Sequence, residues 1–174
     1  MHSPLPQLFS LVLFLAPVVV GAEPGEGADE LTFDGQVLLT LHGSNLTEIA
    51  AGKLAVVKGT SPALQQFGAE LVKDHSAVDE GVLVLAAKKN VTIPATQPSA
   101  PTLSYISGLS GEAFDRAFIQ MMLDDHIKAI EFVQSAQARI SNVAVSELLK
   151  ELLPTLQSHR DTAVVLSRAM RAQL

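Results

Sequence analysis

An apolar helical stripe recurs three times in this chain, each time with one imidazole near its middle, and no other feature constrains the fold as much. In the last third, Val145, Leu149, Leu152, Leu156, His159, Ala163, Leu166 and Met170 alternate steps of four and three. That spacing places side chains on one face of a helix. Leu64, Gly68, Leu71, His75, Val78, Val82 and Leu85 repeat the pattern around His75. Ile119, Met122, His126, Ala129, Val133, Ala136 and Ile140 repeat it around His126. The stripes predict an all-α fold whose core admits single histidines at mid-helix.

Breaks between the stripes set the organisation. In Gly59-Thr60-Ser61-Pro62, Gly stops one helix, Ser61 caps the next, and Pro62 takes its first turn. This predicts helix A over about 31–58, capped by Asp29, and helix B over about 62–88. Gly35, Gly43 and Gly52 each weaken helix A by roughly 1 kcal/mol. Residues 89–109 contain Pro94, Pro98 and Pro101 and read as a long loop, with one short helical turn near Leu103 to Ile106. Ser110 is placed to cap helix C, with Glu112 in its first turn, and the helix runs to about Arg139. Ser141-Asn142 breaks the chain, and helix D runs from Val143 to near the end. Pro154 lies inside helix D and is expected to kink or divide it.

Short loops make A and B, and C and D, antiparallel neighbours. A 28-residue helix is roughly 42 Å long, and a twenty-residue loop reaches roughly 65 Å. The connection can therefore return along the whole length. The expected architecture is a ferritin-like four-helix bundle, two antiparallel helix pairs joined by a long crossover. A plain up-and-down bundle stays open. The halves match thinly: an offset of 81 maps Phe33-Asp34 onto Phe114-Asp115 and Asn45 onto His126, and an offset of 84 maps His75 onto His159.

Before the first helix, Leu8 to Val20 is an apolar run broken by Ser10 and Pro17. It is too short to span a bilayer and suits a signal-peptide core. Val20-Gly21-Ala22 then offers a cleavage site, although the leader has no Lys or Arg. The expected organisation is a signal peptide over 1–22, a flexible lead-in over 23–30 and the helical domain over 31–172, in a periplasmic or secreted protein. No later run reaches membrane-spanning length, so no membrane insertion is expected after cleavage. Net charge is −6, and no basic cluster exceeds Lys88-Lys89, which argues against a nucleic-acid footprint or an anionic-membrane patch. The absence of Cys excludes disulfides, thiolate metal sites and Cys nucleophiles.

The helix midpoints fall near Asn45, His75, Asp125 and Gln157. In an antiparallel arrangement midpoints share a height, so His75, His126 and His159 can converge with Glu48 of helix A. Ala51, Gly52 and Ala55 follow Glu48 and leave room for long side chains from other helices. Three imidazoles and a carboxylate suit Zn, Cu or Fe. Asp79, one turn past His75, can ligate or orient it. Asp74 and Asp125 point about 100° away from their histidines and act on them from outside, or lie at the surface. Met122 offers a thioether, or fills a core gap. His42 is expected to be partly exposed. The bland alternative is a layer of neutral imidazoles bonded to Glu48, Asp79, Asn45 or each other. Val72, Leu123 and Leu156 stand three residues before the histidines, so the Glu-x-x-His pairs of diiron proteins are absent. No nucleophile elbow occurs. The Asn45-Leu46-Thr47 and Asn90-Val91-Thr92 sequons read as chance.

Several segments together carry a family resemblance. They are Glu48 with Gly52-Lys53-Leu54-Ala55, Phe67 to His75 ending in Val-Lys-Asp-His, Leu85-Ala86-Ala87 and Pro94. Leu109-Ser110-Gly111, Phe114-Asp115, His126 and Leu153-Pro154-Thr155-Leu156 with His159 complete them. Over about 31–170 the chain resembles the bacterial family catalogued as domain of unknown function 4142. The resemblance implies an exported, ferritin-like helical protein with Glu48, His75, His126 and His159 in the family's pattern. It implies no activity. The glycine-rich, His42-bearing start of helix A departs from that pattern. Two readings follow. One is a metal-binding module for envelope metal handling, with Glu48, His75, His126, His159 and Asp79 as the candidate ligand set for Zn, Cu or Fe. The other is a non-catalytic envelope stress or interaction protein with a structural histidine layer. Its partner would be a second copy or another envelope protein. No motif supports an enzyme.

Overall fold

The computed structural model describes residues 32–94 and 100–172. The expected leader, cleavage site, lead-in and Asp29 cap lie outside the described residues. The described chain is all-helical, with α1 (Phe33–Lys58), α2 (Pro62–Lys88), α3 (Ala100–Ser107), α4 (Gly111–Gln137) and α5 (Val143–Arg171). Five helices stand where four were expected. The difference is α3, eight residues long where the loop was expected to hold one short helical turn near Leu103 to Ile106. Packing makes it. Ile106 is fully buried in an apolar cluster with Leu64, Phe114 and Phe118, and Leu103 and Leu109 flank it. The Lys58 ammonium, at the end of α1, donates to the Ser107 carbonyl and, at 2.9 Å, to that of Leu109. No described helix is long and apolar enough to cross a membrane.

Local chemistry sets the helix starts. Thr32 Oγ1 accepts from the Gly35 amide at 3.2 Å, so Thr32 is the cap of α1. Ser61 Oγ accepts from Leu64 N at 3.2 Å, with Pro62 behind it. Asn142 Oδ1 accepts from Val145 N at 3.2 Å. Ser110, expected to cap α4, makes no such bond through its side chain; Gly111 follows it with φ 57°. That left-handed conformation favours glycine. Pro154 does not divide α5, which runs unbroken for 29 residues.

The helices pack most closely as the pairs α1–α2 and α4–α5, with α2 also against α5 and α1 against α4. Asp34, at the start of α1, reaches the α4–α5 loop, and Lys58, at its other end, reaches the start of α4. Helices α1 and α4 are therefore antiparallel, and the crossover returns along the whole length.

A matching clamp closes each end. Asp34 accepts from Ser141 N at 3.2 Å, from Ser141 Oγ at 3.0 Å and from Asn142 N at 3.0 Å. At the opposite end, Asp115 accepts from Thr60 N at 3.2 Å and from the Thr60 hydroxyl. The thin offset of 81 that relates Asp34 to Asp115 also relates Thr60 to Ser141. The two pairs thus share a tie: an aspartate near the start of one helix holds the tight loop of the other pair.

Between the clamps the core has three storeys. One apolar cluster gathers Leu38, Leu41, Val82, Val133, Leu149 and Leu156. The other gathers Ala55, Leu64, Phe67, Leu71, Phe114 and Phe118. Between them lies a buried polar layer of His42, Asn45, Glu48, His75, Asp79, His126 and His159.

Candidate metal centre

Each long helix delivers its part of this layer by register. On α1 and α2, Gly52 faces Gly68: a Cβ on Gly52 would lie 2.7 Å from the Gly68 carbonyl oxygen. The small residues expected to leave room for long side chains instead admit the α2 backbone. Counting back from that crossing sets Glu48 near Val72, Asn45 opposite His75 and His42 opposite Asp79. The last two pairings are direct hydrogen bonds, at 3.0 Å and 2.8 Å.

The structure brings three of the five sequence-expected ligands together. One ring nitrogen from each of His75, His126 and His159 lies within 4.8 Å of the other two. Ring centroids stand 5.3–5.7 Å apart, and all three residues are buried. Glu48 and Asp79 stand outside this group. Asp79 is instead the acceptor of the His42 Nδ1–H and, at 3.5 Å, of the Asn45 amide. His42, expected to be partly exposed, is buried, because that bond draws it inward against α2. Glu48 is buried on α1 near Val72, about one turn from Asn45, and its Oε2 has no hydrogen-bond partner.

The hydrogen bonds fix which nitrogens carry protons. His126 Nδ1 stands 2.8 Å from the Met122 carbonyl, which can only accept. His159 Nε2 stands 3.1 Å from the Asp74 carboxylate. His75 Nδ1 stands 3.0 Å from Asn45 Oδ1. Each outer nitrogen is therefore the donor, and each inner nitrogen of the neutral ring presents a lone pair. The inner nitrogens are His75 Nε2, His126 Nε2 and His159 Nδ1. His75 Nε2 is buried with no partner. His126 Nε2 and His159 Nδ1 face each other at 3.3 Å, and with both rings neutral each turns a lone pair towards the other.

Electrostatics keep two of the rings neutral. Burial, reinforced by His126 and His159, pushes His75 down to about 3. Burial, then His159, pushes His126 down to about 4, against the opposing pull of the Met122 carbonyl. The same burial, with Asp125 nearby, raises Glu48 well above the carboxylate range. Asp125 itself rises to about 6, through burial first. At neutral pH the layer thus offers the uncharged imidazoles of His75 and His126, beside a Glu48 carboxyl whose neutral form burial favours.

The residues fit a transition-metal ion. Imidazoles bind in the neutral form, with the far N–H held by a carbonyl or carboxylate, and all three are so arranged. Bonds near 2.0–2.1 Å in a tetrahedral site put ligand nitrogens roughly 3.4 Å apart. The pair His126 and His159 already has that separation, and His75 needs to close by little more than about 1 Å. Phe67 stands against His159, with ring centroids 6.1 Å apart. The same Phe67 lies under an open groove of about 710 Å³ between α2 and α5, flanked by Glu70, Gln157, Ser158 and Asp161.

The residues that sequence reasoning undervalued are His42 and Asn45. A signal for Asn45 was present: Leu38, Leu41, Asn45, Glu48, Gly52 and Ala55 alternate steps of three and four. That is the same seam as on the other helices, with two polar members. No curated protein and no solved structure matches this chain. A family match covers residues 21–166, nearly the whole chain, and the protein therefore belongs to the family described as domain of unknown function (DUF4142).

Proposed function

We propose that this protein is a transition-metal-binding module. His75, His126 and His159 are the ligands, and the Glu48 carboxyl is the group available for a fourth position. In this reading the four long helices form a ferritin-like four-helix bundle, and α3 braces its crossover. The leader read in the sequence would place the module in the periplasm or outside the cell. The observation that carries the reading is the inward set of three lone pairs, each fixed by an outward N–H bond. Neutral imidazole suits Zn, Cu and Fe alike, so the ion is a matter for experiment. Asp79 is assigned to orientation and not to ligation.

The competing reading is a purely structural layer in an envelope stress or interaction protein. Buried polar groups in such a layer are normally satisfied. Here His75 Nε2 and Glu48 Oε2 are not, which favours a site over architecture.

The test uses the chain without a histidine tag, challenged with Zn²⁺, Cu²⁺ and Fe²⁺ and then desalted. The expected result is near one ion per chain, lost in the triple variant His75→Ala, His126→Ala, His159→Ala. A folded wild-type protein that retains none of the three ions overturns the proposal and leaves the histidines as architecture.

A further inference from the structure

The polar layer continues beyond the three ligands into a chain of buried groups that touches only one of them. It zips α1 to α2. His42 and Asn45 are one turn apart on α1, and His75 and Asp79 are one turn apart on α2. His42 Nδ1 donates to Asp79 Oδ1 at 2.8 Å. Asn45 Nδ2 donates to the same oxygen at 3.5 Å. Asn45 Oδ1 then accepts from His75 Nδ1 at 3.0 Å. All four residues are buried.

An asparagine amide is ambiguous by itself, since its two ends differ only in donor and acceptor. A carboxylate beside it removes the ambiguity, because a carboxylate only accepts. Asp79 forces the Asn45 NH₂ towards itself, and the carbonyl end is left for His75. That carbonyl can only accept, so the His75 proton must sit on Nδ1. The lone pair then falls on Nε2, the buried atom that has no partner and faces the cluster. With the amide reversed, Nε2 would carry the proton into a pocket of lone pairs and could not bind an ion. The other two ligands need no such device, because a main-chain carbonyl and the Asp74 carboxylate hold their outer N–H groups directly.

We propose that Asn45, oriented by Asp79, is the positioning residue that sets the His75 tautomer and so readies its Nε2 for a metal ion. The inference deepens the metal-binding reading and rests on it for its purpose. The tautomer itself can be read without any metal.

The experiment takes the whole, metal-free chain and assigns the His75 tautomer by two-bond ¹H–¹⁵N correlation of the imidazole rings. Zn²⁺ affinity is then measured by competition with a chromogenic chelator. The wild-type protein should show the proton on Nδ1. Asn45→Leu should release the preference and weaken Zn²⁺ binding by about 10- to 100-fold, the usual cost of losing a partner behind a ligand. Asp79→Asn, which allows the amide to turn, should do the same. The exchange variant Asn45→Asp with Asp79→Asn restores an acceptor towards His75 and a donor between the two positions. It should recover both the tautomer and most of the affinity. A structural defect would not be repaired by that exchange, and thermal melts check that each variant folds. If Asn45→Leu, folded, keeps the Nδ1 proton and wild-type affinity, the inference is overturned while the metal reading stands. If the tautomers shift as expected but wild-type protein takes no Zn²⁺, Cu²⁺ or Fe²⁺, the metal reading fails and the assignment of Asn45 to the tautomer survives.

Discussion

The two helix pairs are tied at their ends alike and filled differently in between. Asp34 and Asp115 hold opposite loops through the same kind of bond, at positions 81 residues apart. The same offset relates Gly52 to Val133 and Gly68 to Leu149. In α1–α2 the glycines let two backbones touch. In α4–α5 their counterparts are buried aliphatic side chains that hold the helices apart. The polar layer diverges in step. Asn45 meets His75 with a short amide, whereas its counterpart His126 meets His159 ring to ring. A short side chain suits a close pair, and an imidazole suits a wider one. Interhelical spacing thus decides which pair gives two of the clustered imidazoles and which gives one imidazole and its amide partner.

The largest expected break in this comparison is at the glycine crossing. Gly68→Val drives a side chain into the α1 backbone and should cost about 3 kcal/mol or more. Leu149→Ala, at the matching place in the other pair, should cost about 2–5 kcal/mol through the opposite fault, a cavity. Urea unfolding measures both. A Gly68→Val protein as stable as wild type would show that α1 and α2 are not held together there.

Acid should act next, and through the histidines. His75 and His126 have folded-state values of about 3 and about 4, below the ordinary value near 6.5. The unfolded chain therefore binds protons first as pH falls. Stability conferred by the neutral rings is full above about pH 6.5 and drains away towards pH 3–4, by about 1–3 kcal/mol per unit while both titrate. Glu48 works the other way. Its raised folded value means that stability is full at acid pH and is lost as pH rises through that value. A double variant His75→Leu, His126→Leu should flatten the acid limb of a stability–pH curve. An unchanged acid limb would show that the rings are not neutral in the fold.

The smallest effect expected is at the clamps. Asp34→Ala strands two loop amides and a hydroxyl, and Asp115→Ala strands one amide and a hydroxyl. Each should cost about 1–3 kcal/mol, with Asp34 the dearer. Thermal melts of the two variants rank them, and an inverted order would show that the likeness of the two ends is only geometric.

Much of this was legible in the sequence, for local reasons. The end of α1 and the starts of α2 and α5 follow from Gly59, Ser61, Pro62 and Asn142, whose effects act within one turn. The convergence of His75, His126 and His159 follows from stripes whose midpoints share a height. Helix α3 was legible only as a short turn near Leu103 to Ile106, because its full eight residues, without a strong cap, depend on Ile106 finding a place among side chains distant in sequence. The burial of His42 was hidden for a related reason. The inner face of α1 carries four polar residues, Asp34, His42, Asn45 and Glu48, among its apolar ones, so its stripe is harder to read than those of the other helices. The true partners of Asp79 depend on the glycine crossing that sets the α1–α2 register, a fact of two chains of atoms meeting and not of either alone.

If the histidine layer holds an ion as proposed, the three-storey core also governs its traffic. Apolar storeys above and below seal the histidine layer from both ends, so an ion can neither arrive nor leave along the helix axes. Traffic has to be sideways. Asp74, about one third exposed at 34%, hands its carboxylate to the buried His159, and it sits on the seam between α2 and α5. Water-borne cations meet the layer there first. Under the proposed metal-binding reading, loading and unloading would be set by sidelong parting of α2 and α5, and the depth of the histidines would brake exchange as much as it adds affinity.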